Sequence, residues 1–264
     1  MKLLLFLIVS LIPAITFSQD AKVWNNKKCA VVLTYDDALD VHLDNVIPLL
    51  DSLGLKATFY LIASAPASKN RLNDWKKAAA EGHELGNHTL FHPCVGNLPG
   101  REWVSPDYNL SKYTVRRMID EARMTNVFLQ ALDGKTKRTY AFPCGDTKIG
   151  DTLYFDSLKN DFEAARSVAM GMTTIDKIDL SNTGCFVMYG QTGDQMINIV
   201  KRAMQTNSVV VFLFHGVGGG HNINVSLDAH RQLIDFLKQN EKEIWVAPMV
   251  DVAEYVKAYR KGAK

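Results

Sequence analysis

Short β-branched runs alternate with longer segments of helical periodicity along most of the chain, and this alternation restricts the fold more than any other feature. Predicted strands occupy residues 29–35, 56–62, 83–88, 138–143, 162–168, 185–190, 208–215 and 243–248. Predicted helices lie between them, at 42–54, 73–82, 111–134, 152–161, 194–205, 226–240 and 250–262. Asp194 and Ser226 lie where helix N-caps are expected, and Gly54, Gly82 and Gly134 lie where helices are expected to end. Because strands that alternate with helices build parallel sheets, the sequence predicts an α/β fold, an irregular (β/α)7-8 barrel.

The first 18 residues are an apolar run after Lys2 that is too short for a convincing membrane span. We interpret residues 1–18 as a secretory signal peptide, with an uncleaved anchor as the alternative. Residues 19–264 are then one domain, and no later stretch approaches the roughly 20 apolar residues of a spanning helix. The sequence therefore predicts a secreted or periplasmic protein with no stable membrane span after signal removal.

Composition excludes some function classes. Hydrophobic residues make up 47% of the chain and charged residues 22%, which suits a globular core. The net charge of +2 comes from scattered basic residues rather than a stripe, so no nucleic acid partner is expected. The four cysteines form no C-x-x-C pair and are too widely spaced for a disulfide scaffold. Buried thiols are the simplest interpretation, and export permits one disulfide. They are Cys29, Cys94, Cys144 and Cys185.

Polar residues are concentrated at the carboxyl ends of the predicted strands, where barrel enzymes carry their reacting groups. Two adjacent carboxylates follow the first strand, and histidines follow the third and seventh. These side chains are expected to converge on one rim of the barrel. The residues at these ends are Asp36, Asp37, His88, His92, Pro143, Cys144, Arg166 and His215.

The segment H-T-L-F-H, residues 88–92, has the spacing of a metal-binding pair. On one helical turn, histidines four residues apart share a face, and a third ligand arrives from elsewhere. Asp37 is the natural third ligand, and a set of two histidines and one carboxylate leaves positions open for water and substrate. The alternative is that one histidine caps a turn and the other packs in the core.

Asp36 and His215 are the candidates for proton transfer. Successive residues of a strand point to opposite sides, so Asp36 is expected to move a proton while its neighbour binds metal. His215 ends the most hydrophobic strand and is followed by glycines, which suits a general acid. A buried histidine bonded to a backbone carbonyl is the alternative for this residue, and His221 is expected to be a loop residue.

Taken together, these motifs resemble the polysaccharide deacetylase family, carbohydrate esterase family 4. The chain carries T-Y-D-D at 34–37, H-T-L-F-H at 88–92, F-P-C-G at 142–145 and L-F-H at 213–215, in the family's order. The resemblance covers residues 28–248 and implies a divergent secreted member with the barrel of that family. Each motif alone is weak, whereas the ordered combination is specific.

The resemblance also implies roles for individual residues. Asp36 is then the general base, His215 the acid, and Asp37, His88 and His92 hold a divalent metal, most often Zn²⁺. Leu213 would line the acetyl pocket, and the backbone N–H of Cys144, after Pro143, would contact the oxyanion. Because the second and third motifs approach one another in this family, Cys94 and Cys144 are the pair expected to form a disulfide.

The chain departs from the family pattern in two motifs. The arginine of the third motif falls at Ala141, and the Asp/Trp motif is not recognisable after the fifth strand. We hypothesise that Arg166 pairs with Asp36 and joins the catalytic set; a structural salt bridge at the barrel rim is the alternative. Trp103, Tyr108 and Trp24 are candidate sugar-stacking residues, although scattered exposed aromatics are also common.

The function predicted is therefore an exported, metal-dependent carbohydrate deacetylase that uses metal-activated water on acetyl ester or N-acetyl groups of a poly- or oligosaccharide. Two alternatives remain. One is a hydrolase of another non-peptide carbon–nitrogen bond on the same fold. The other is a carbohydrate-binding relative without turnover, which would need neither Asp36 nor His215.

Overall fold

The computed structural model describes residues 22–262, so the predicted signal peptide lies outside the described residues. Strands and helices alternate along this part of the chain. The strands are β1 (Cys29–Asp36), β2 (Thr58–Leu61), β3 (Glu84–Asn87), β4 (Tyr140–Ala141), β5 (Lys148–Ile149), β6 (Thr152–Leu153), β7 (Ala165–Met170), β8 (Thr173–Thr174), β9 (Thr183–Val187), β10 (Ser208–Phe214), β11 (Gly216–Val217), β12 (Asn224–Val225) and β13 (Ile244–Val246). The helices are α1 (Ile47–Ser52), α2 (Pro66–Asn70), α3 (Leu72–Ala80), α4 (Val115–Asp133), α5 (Gly193–Gln205), α6 (Leu227–Gln239) and α7 (Met249–Gly262).

Seven parallel strands close a barrel in the order β1-β2-β3-β4-β7-β9-β10, with β10 returning to β1. The predicted (β/α)7-8 barrel is therefore confirmed. The last predicted strand is present as β13, but it does not enter the ring. It pairs in parallel with the first residues of β1, below the segment that pairs with β2. Since parallel strands share one direction, the carboxyl ends of all seven barrel strands lie at one rim.

Residue alternation along β1 separates two cores. Val31, Leu33 and Tyr35 pack in a cluster with side chains of α1, α3, α5 and α6. Ala30 and Val32 belong to a second cluster with alternate residues of β10 and with α7. The first cluster lies on the outside of the barrel, beneath these four helices, and the second cluster fills the barrel interior. Asp36 has the parity of the interior residues, so its side chain enters the barrel at the rim.

Helix ends follow the expected cap chemistry with one shift. Ser226 accepts a hydrogen bond at the start of α6, and α4 ends at Gly134 with φ 72°. The expected cap of α5 at Asp194 is wrong, because Thr192 caps the helix through a capping box with Gln195. Asp194 instead lies in the first helical turn, where its charge favours the helix dipole.

One predicted helix does not form. Residues 152–161 begin with β6, which pairs with β5 as a short antiparallel ribbon, and continue as a 3₁₀ turn over Tyr154–Ser157. Tyr154 and Phe155 pack into an aromatic cluster with Tyr140 and Phe142. Burial of these rings against β4 outweighs the helical pattern of the segment. Among residues 22–262, every helix is too short or too polar to cross a bilayer.

Three of the buried histidines should make the stability of the folded chain fall in acid. Burial lowers the pKa of His42 and His83 to about 4 and that of His230 to about 3. Below pH 6.5 the unfolded chain binds more protons at these sites, so the free energy of unfolding falls by about 1.4 kcal/mol per group and pH unit until the folded pKa is reached.

Urea unfolding at pH 6.5 and pH 5.0 tests this expectation. We expect His230→Phe to reduce the loss of stability between these pH values by about 2 kcal/mol relative to wild type. An unchanged difference would contradict the assignment of His230 as a neutral buried group.

Candidate active site

The barrel rim brings together five of the residues singled out from the sequence. Asp36 ends β1 and Asp37 follows it, His88 follows β3, Arg166 lies in β7, and His215 follows β10. Asp36, His88 and Arg166 are at most 2% exposed. Residues from four separate strands thus form one pocket that is closed below by the barrel interior.

The backbone of this rim is strained. Five non-glycine residues around the pocket have left-handed φ angles, and the other four in the described part of the chain are all asparagines, which tolerate this region. Such conformations cost on the order of 1–3 kcal/mol each and are retained at functional sites. The five are Asp37 (79°), Ala38 (53°), Thr89 (67°), His92 (54°) and Cys144 (55°).

The two histidines of H-T-L-F-H do converge, but the expected helical turn is wrong. Residues 88–92 form an irregular turn in which Thr89 and His92 are left-handed. The Asn87 side chain accepts a hydrogen bond from the Thr89 N–H at 2.8 Å, and Thr89 Oγ1 accepts one from the His92 N–H at 2.9 Å. Local side-chain hydrogen bonds, rather than helical periodicity, therefore place the two rings together.

Asp37, His88 and His92 fit a divalent cation. Asp37 Oδ1 lies 3.5 Å from His88 Nε2 and 3.7 Å from His92 Nε2, and the three ligand atoms lie within 4.8 Å of one another. Asp37 Oδ1 is buried without a hydrogen-bond partner, as expected of an oxygen that ligates metal. One carboxylate and two imidazoles are a donor set that Zn²⁺ accepts.

The protonation states also suit metal binding. His88 Nδ1 donates a hydrogen bond to the Ala141 carbonyl at 2.9 Å, which leaves the Nε2 lone pair directed at the pocket. Burial alone would raise the pKa of Asp37, but the adjacent His88 imidazole and the neighbouring His92 and His215 hold it well below its usual range. Burial and the neighbouring His88 lower the pKa of His92 to about 4.

Arg166 pairs with Asp36 at the bottom of the pocket. Its Nη2 donates a hydrogen bond to Asp36 Oδ2, and both side chains are buried. Burial opposes the charge of Arg166, but the Asp36 carboxylate raises the pKa of the guanidinium. In the β4–β7 pairing, Arg166 is the direct register partner of Ala141, the position at which the family motif has its arginine. The guanidinium enters the same pocket from the adjacent strand.

His215 lies beside the carboxylate of Asp37. Its Nε2 is 3.8 Å from Asp37 Oδ2, and burial lowers the pKa of the imidazole. Its Nδ1 is buried without a partner. The expected loop residue His221 stacks on this ring at a centroid distance of 4.8 Å and an interplanar angle of 17°. The Nε2 atom is therefore the ring nitrogen of His215 that faces Asp37.

The loops after β3 and β4 are covalently joined. The disulfide expected from the resemblance is present between Cys94 and Cys144, whereas Cys29 and Cys185 are free and buried. Within the turn that contains Cys144, the N–H groups of residues 145 and 146 bond to carbonyls of the turn. Pro143 and Leu213 are buried beside the rim.

An ion pair that the sequence did not predict also links the loops after β3 and β4. Arg101 contacts Asp146 and donates to the Cys144 carbonyl at 3.1 Å. Asp146 accepts a hydrogen bond from the Val95 N–H at 2.8 Å. The available signal was the position of Asp146 directly after F-P-C-G. Arg101 carried no signal of its own, because it lies in an irregular loop.

The aromatic candidates divide into two groups. Trp24 is fully buried and donates to the Asn207 carbonyl at 2.8 Å, so its assignment as a sugar-stacking residue is wrong. Its ring fills the second core cluster, which a sequence pattern at the start of the domain does not reveal. Trp103 is 62% exposed, and Tyr108 stacks on Phe91 with centroids 4.8 Å apart.

Replacing the disulfide should destabilise the fold. The bond closes a loop across 50 positions, for which the chain-entropy model gives about 4 kcal/mol. We expect the variant Cys94→Ser/Cys144→Ser to lose most of this free energy of unfolding, measured by urea denaturation without reductant. Dithiothreitol should bring the wild type to the stability of the variant and leave the variant unchanged. A variant as stable as the oxidised wild type would contradict the expectation.

Comparison with known proteins fixes the family. A family model described as polysaccharide deacetylase matches residues 24–161, more than half of the chain. The chain belongs to the polysaccharide deacetylase family. The matched segment contains the T-Y-D-D and H-T-L-F-H motifs and the F-P-C-G turn, and thus the candidate metal ligands.

Two curated proteins are similar to the chain at low sequence identity. The peptidoglycan-N-acetylglucosamine deacetylase of Bacillus cereus is 26% identical over 214 residues, which cover 80% of this chain and 64% of that protein. The uncharacterised protein YlxY of Bacillus subtilis is 28% identical over 138 residues, 52% of this chain and 35% of that protein. The chain spans less than two thirds of the length of these relatives.

Solved structures of deacetylases share the fold. The Xyl-CE4 domain of a multidomain xylanase from the hindgut metagenome of Trinervitermes trinervoides superimposes with a TM-score of 0.55 at 18% identity, covering 88% of this chain and 91% of that one. The peptidoglycan deacetylase PdaC of Bacillus subtilis gives 0.52 at 17% identity, covering 90% and 95%. The barrel is therefore that of this family.

Proposed function

We propose that this polysaccharide deacetylase is an exported, metal-dependent enzyme that removes acetyl groups from a poly- or oligosaccharide. The observation that carries the proposal is the convergence of Asp37, His88 and His92 around an unpartnered carboxylate oxygen of Asp37. This cluster lies beside the buried ion pair of Asp36 and Arg166. The proposal of export rests on the apolar sequence of residues 1–18 and on the size of such substrates, which cannot be imported intact.

The three ligands would hold one divalent cation, with Zn²⁺ the best match to the donor set. A cation bound there supplies Lewis acidity, which polarises the acetyl carbonyl and lowers the pKa of a water. The chain supplies the rest of the chemistry. The His88 hydrogen bond to the Ala141 carbonyl fixes the ring orientation, and the strained turn at Thr89 fixes His92 relative to it.

Asp36 acts as the general base. Its Oδ2 is held by Arg166, and its Oδ1 is buried without a partner and directed at the pocket. The free oxygen accepts a proton from the water that attacks the acetyl carbon. Arg166 orients the carboxylate inside the barrel, which is the role of a positioning residue.

The variants Arg166→Met and Arg166→Lys test that role. We expect Arg166→Met to reduce kcat strongly, because Asp36 loses the hydrogen bond and the counter-charge that hold it in place. Arg166→Lys restores the charge and should recover part of the loss. Full turnover in Arg166→Met, with Asp36→Ala inactive, would leave Arg166 a purely structural ion pair.

His215 and Cys144 complete the reaction. The protonated imidazole of His215 donates its proton to the departing amine or alkoxide as acetate forms, and burial makes this imidazolium a stronger acid than an exposed one. The backbone N–H of Cys144 stabilises the oxyanion, a contribution worth roughly 3 kcal/mol in such sites. Leu213, buried at the end of β10, forms the apolar wall for the acetyl methyl group.

The substrate is a glycan that carries N-acetyl or O-acetyl groups. The Bacillus cereus relative is named for peptidoglycan N-acetylglucosamine, and a glycan of the cell wall fits an exported enzyme. The exposed ring of Trp103 and the Phe91–Tyr108 stack offer surfaces on which sugar rings pack. Acetylated xylan and chitin-type chains present the same acetyl chemistry.

Acetate release from peptidoglycan, chitooligosaccharides and acetylated xylan tests the proposal. We expect release from at least one substrate, loss of release after chelation, and recovery with Zn²⁺. Acetate from none of them, with metal bound, would overturn the deacetylase proposal and favour the alternatives. Ammonia or amine release from a non-acetyl amide would identify another carbon–nitrogen hydrolase, and sugar binding without any release would identify a binding relative.

A further inference from the structure

His42 is a fully buried imidazole that lies next to the proposed active site but belongs to none of its motifs. It begins a π-helical turn over His42–Val46, five residues after Asp37. Single π-helical turns interrupt α-helices mainly at functional sites. Here the turn leads directly into α1, so the insertion sits between the metal-ligand strand and the first barrel helix.

Each ring nitrogen of His42 holds a different strand exit. Its Nδ1 accepts a hydrogen bond from the Leu39 N–H at 3.3 Å, in the loop that follows Asp37. Its Nε2 donates to the His215 carbonyl at 2.8 Å. A backbone N–H only donates and a carbonyl only accepts, so these two contacts require the neutral ring with its proton on Nε2.

A second bond from the same turn reaches the same loop. Asn45 lies three residues after His42, and its side-chain amide donates a hydrogen bond to the Val217 carbonyl at 2.8 Å. Both carbonyls belong to the segment that leaves β10 with His215. The π-helical turn therefore fixes two successive points of the strand exit that carries the proposed acid.

The surroundings make the two bonds of His42 hard to replace. The ring packs edge-on against Tyr35 at 5.6 Å and lies 5.9 Å from Phe59, centroid to centroid. Burial lowers the pKa of His42 to about 4, which agrees with a ring that is neutral at pH 7. The ring itself is fully buried, so a residue without polar atoms would leave the Leu39 N–H and the His215 carbonyl facing an apolar side chain.

The loop held at Leu39 is also the strained part of the site. Asp37 and Ala38, immediately before Leu39, have φ angles of 79° and 53°. A left-handed pair of this kind persists only when its surroundings hold it. Taken together, these contacts join the exit of β1, with the proposed base and metal ligand, to the exit of β10, with the proposed acid.

We propose that His42 is a positioning residue that sets the distance and orientation between the Asp36–Asp37 segment and His215. The inference rests on the proposed function, because it assigns the proton donor and the proton acceptor to the two segments that His42 joins. Outer-shell residues of this kind typically contribute 10–100-fold in activity or metal affinity. Loss of His42 should therefore act on kcat more than on KM.

Three substitutions separate the two bonds. His42→Phe keeps the ring volume and removes both contacts. His42→Gln places an amide near the Nε2 position and keeps donation to the His215 carbonyl, whereas His42→Asn places an oxygen near Nδ1 and keeps the contact with the Leu39 N–H. We expect kcat to fall about 10- to 100-fold in His42→Phe at nearly unchanged KM, and each amide variant to recover part of the loss.

His230 supplies the matched control. It is equally buried and packs against Tyr35 and Phe214, but its Nε2 bonds to the side-chain hydroxyl of Tyr35 at 2.7 Å and not to the backbone of a strand exit. His230→Phe should lower the melting temperature to a similar extent and leave kcat within about twofold of wild type. Equal losses of kcat in the two phenylalanine variants, or an unchanged kcat in His42→Phe, would overturn the proposal.

Hydrogen–deuterium exchange at pH 7.5 gives a readout that needs no substrate. We expect His42→Phe to accelerate exchange in peptides covering residues 37–40 and 215–218 and in no other barrel segment, and His230→Phe to leave both peptides unchanged. If no acetylated glycan is hydrolysed by the wild type, the proposed function fails while this measurement still decides the positioning role. Unchanged exchange in both peptides would overturn it.

Discussion

Asp36→Asn is expected to reduce the rate of acetate release by a factor of about 10²–10⁴, because the amide cannot accept the proton of the attacking water. The same change should lower the free energy of unfolding by about 3 kcal/mol, since it leaves the charge of Arg166 buried without its partner. Steady-state kinetics and urea denaturation measure the two effects separately. Activity within tenfold of wild type would contradict the assignment of Asp36 as the base.

The double variant Asp36→Asn/Arg166→Met separates catalysis from stability. Methionine has no charge to bury, so the double variant should regain most of the stability that the single variant loses. It should not regain turnover, because the base is still absent. A double variant that is no more stable than Asp36→Asn would show that the uncompensated Arg166 charge is not the source of the loss.

Removal of one metal ligand is expected to have an effect of similar size. His88→Ala and His92→Ala should each weaken Zn²⁺ binding by more than the 10–100-fold typical of outer-shell changes, and abolish turnover at substoichiometric metal. Calorimetric titration of the chelator-treated protein gives the affinity, and elemental analysis gives the bound metal. The wild type should recover activity when Zn²⁺ is returned, whereas the variants should not.

His221→Ala is the matched control for the metal experiment. His221 lies at the same rim and stacks on His215, but it is not one of the three clustered ligands. Its substitution should leave metal content at the wild-type level. A loss of metal in His221→Ala equal to that in His92→Ala would contradict the assigned ligand set, as would full metal content in both ligand variants.

Local sequence patterns anticipated the elements that depend on local physics. The strand and helix periodicity predicted eight strands, and all eight are present in the expected order. As expected, Ser226 begins α6 and Gly134 ends α4. The failures were segments in which tertiary burial outweighs local preference. Residues 152–161 form a ribbon and a turn because Tyr154 and Phe155 pack in an aromatic cluster, and Trp24 is buried instead of exposed.

For the same reason, only part of the candidate site could be predicted from the sequence. The chemical types and strand-end positions of Asp36, Asp37, His88, His92 and His215 singled them out before any geometry was known. The way in which the two ligand histidines meet was not predictable. A helical turn was the simplest path between them, but hydrogen bonds from Asn87 and Thr89 select a left-handed turn instead.

The sequence by itself determined the barrel, the identity of its strand-end residues and the likeness to the polysaccharide deacetylase family, because periodicity and motif order are properties of neighbouring residues. Only the tertiary structure decided which distant groups meet. Arg166 reaches Asp36 because the β4–β7 register sets it beside Ala141, and His42 bonds to the carbonyl of His215, 173 positions further along the chain. Parallel pairing closes such distances, and no local pattern in the chain encodes the register that results.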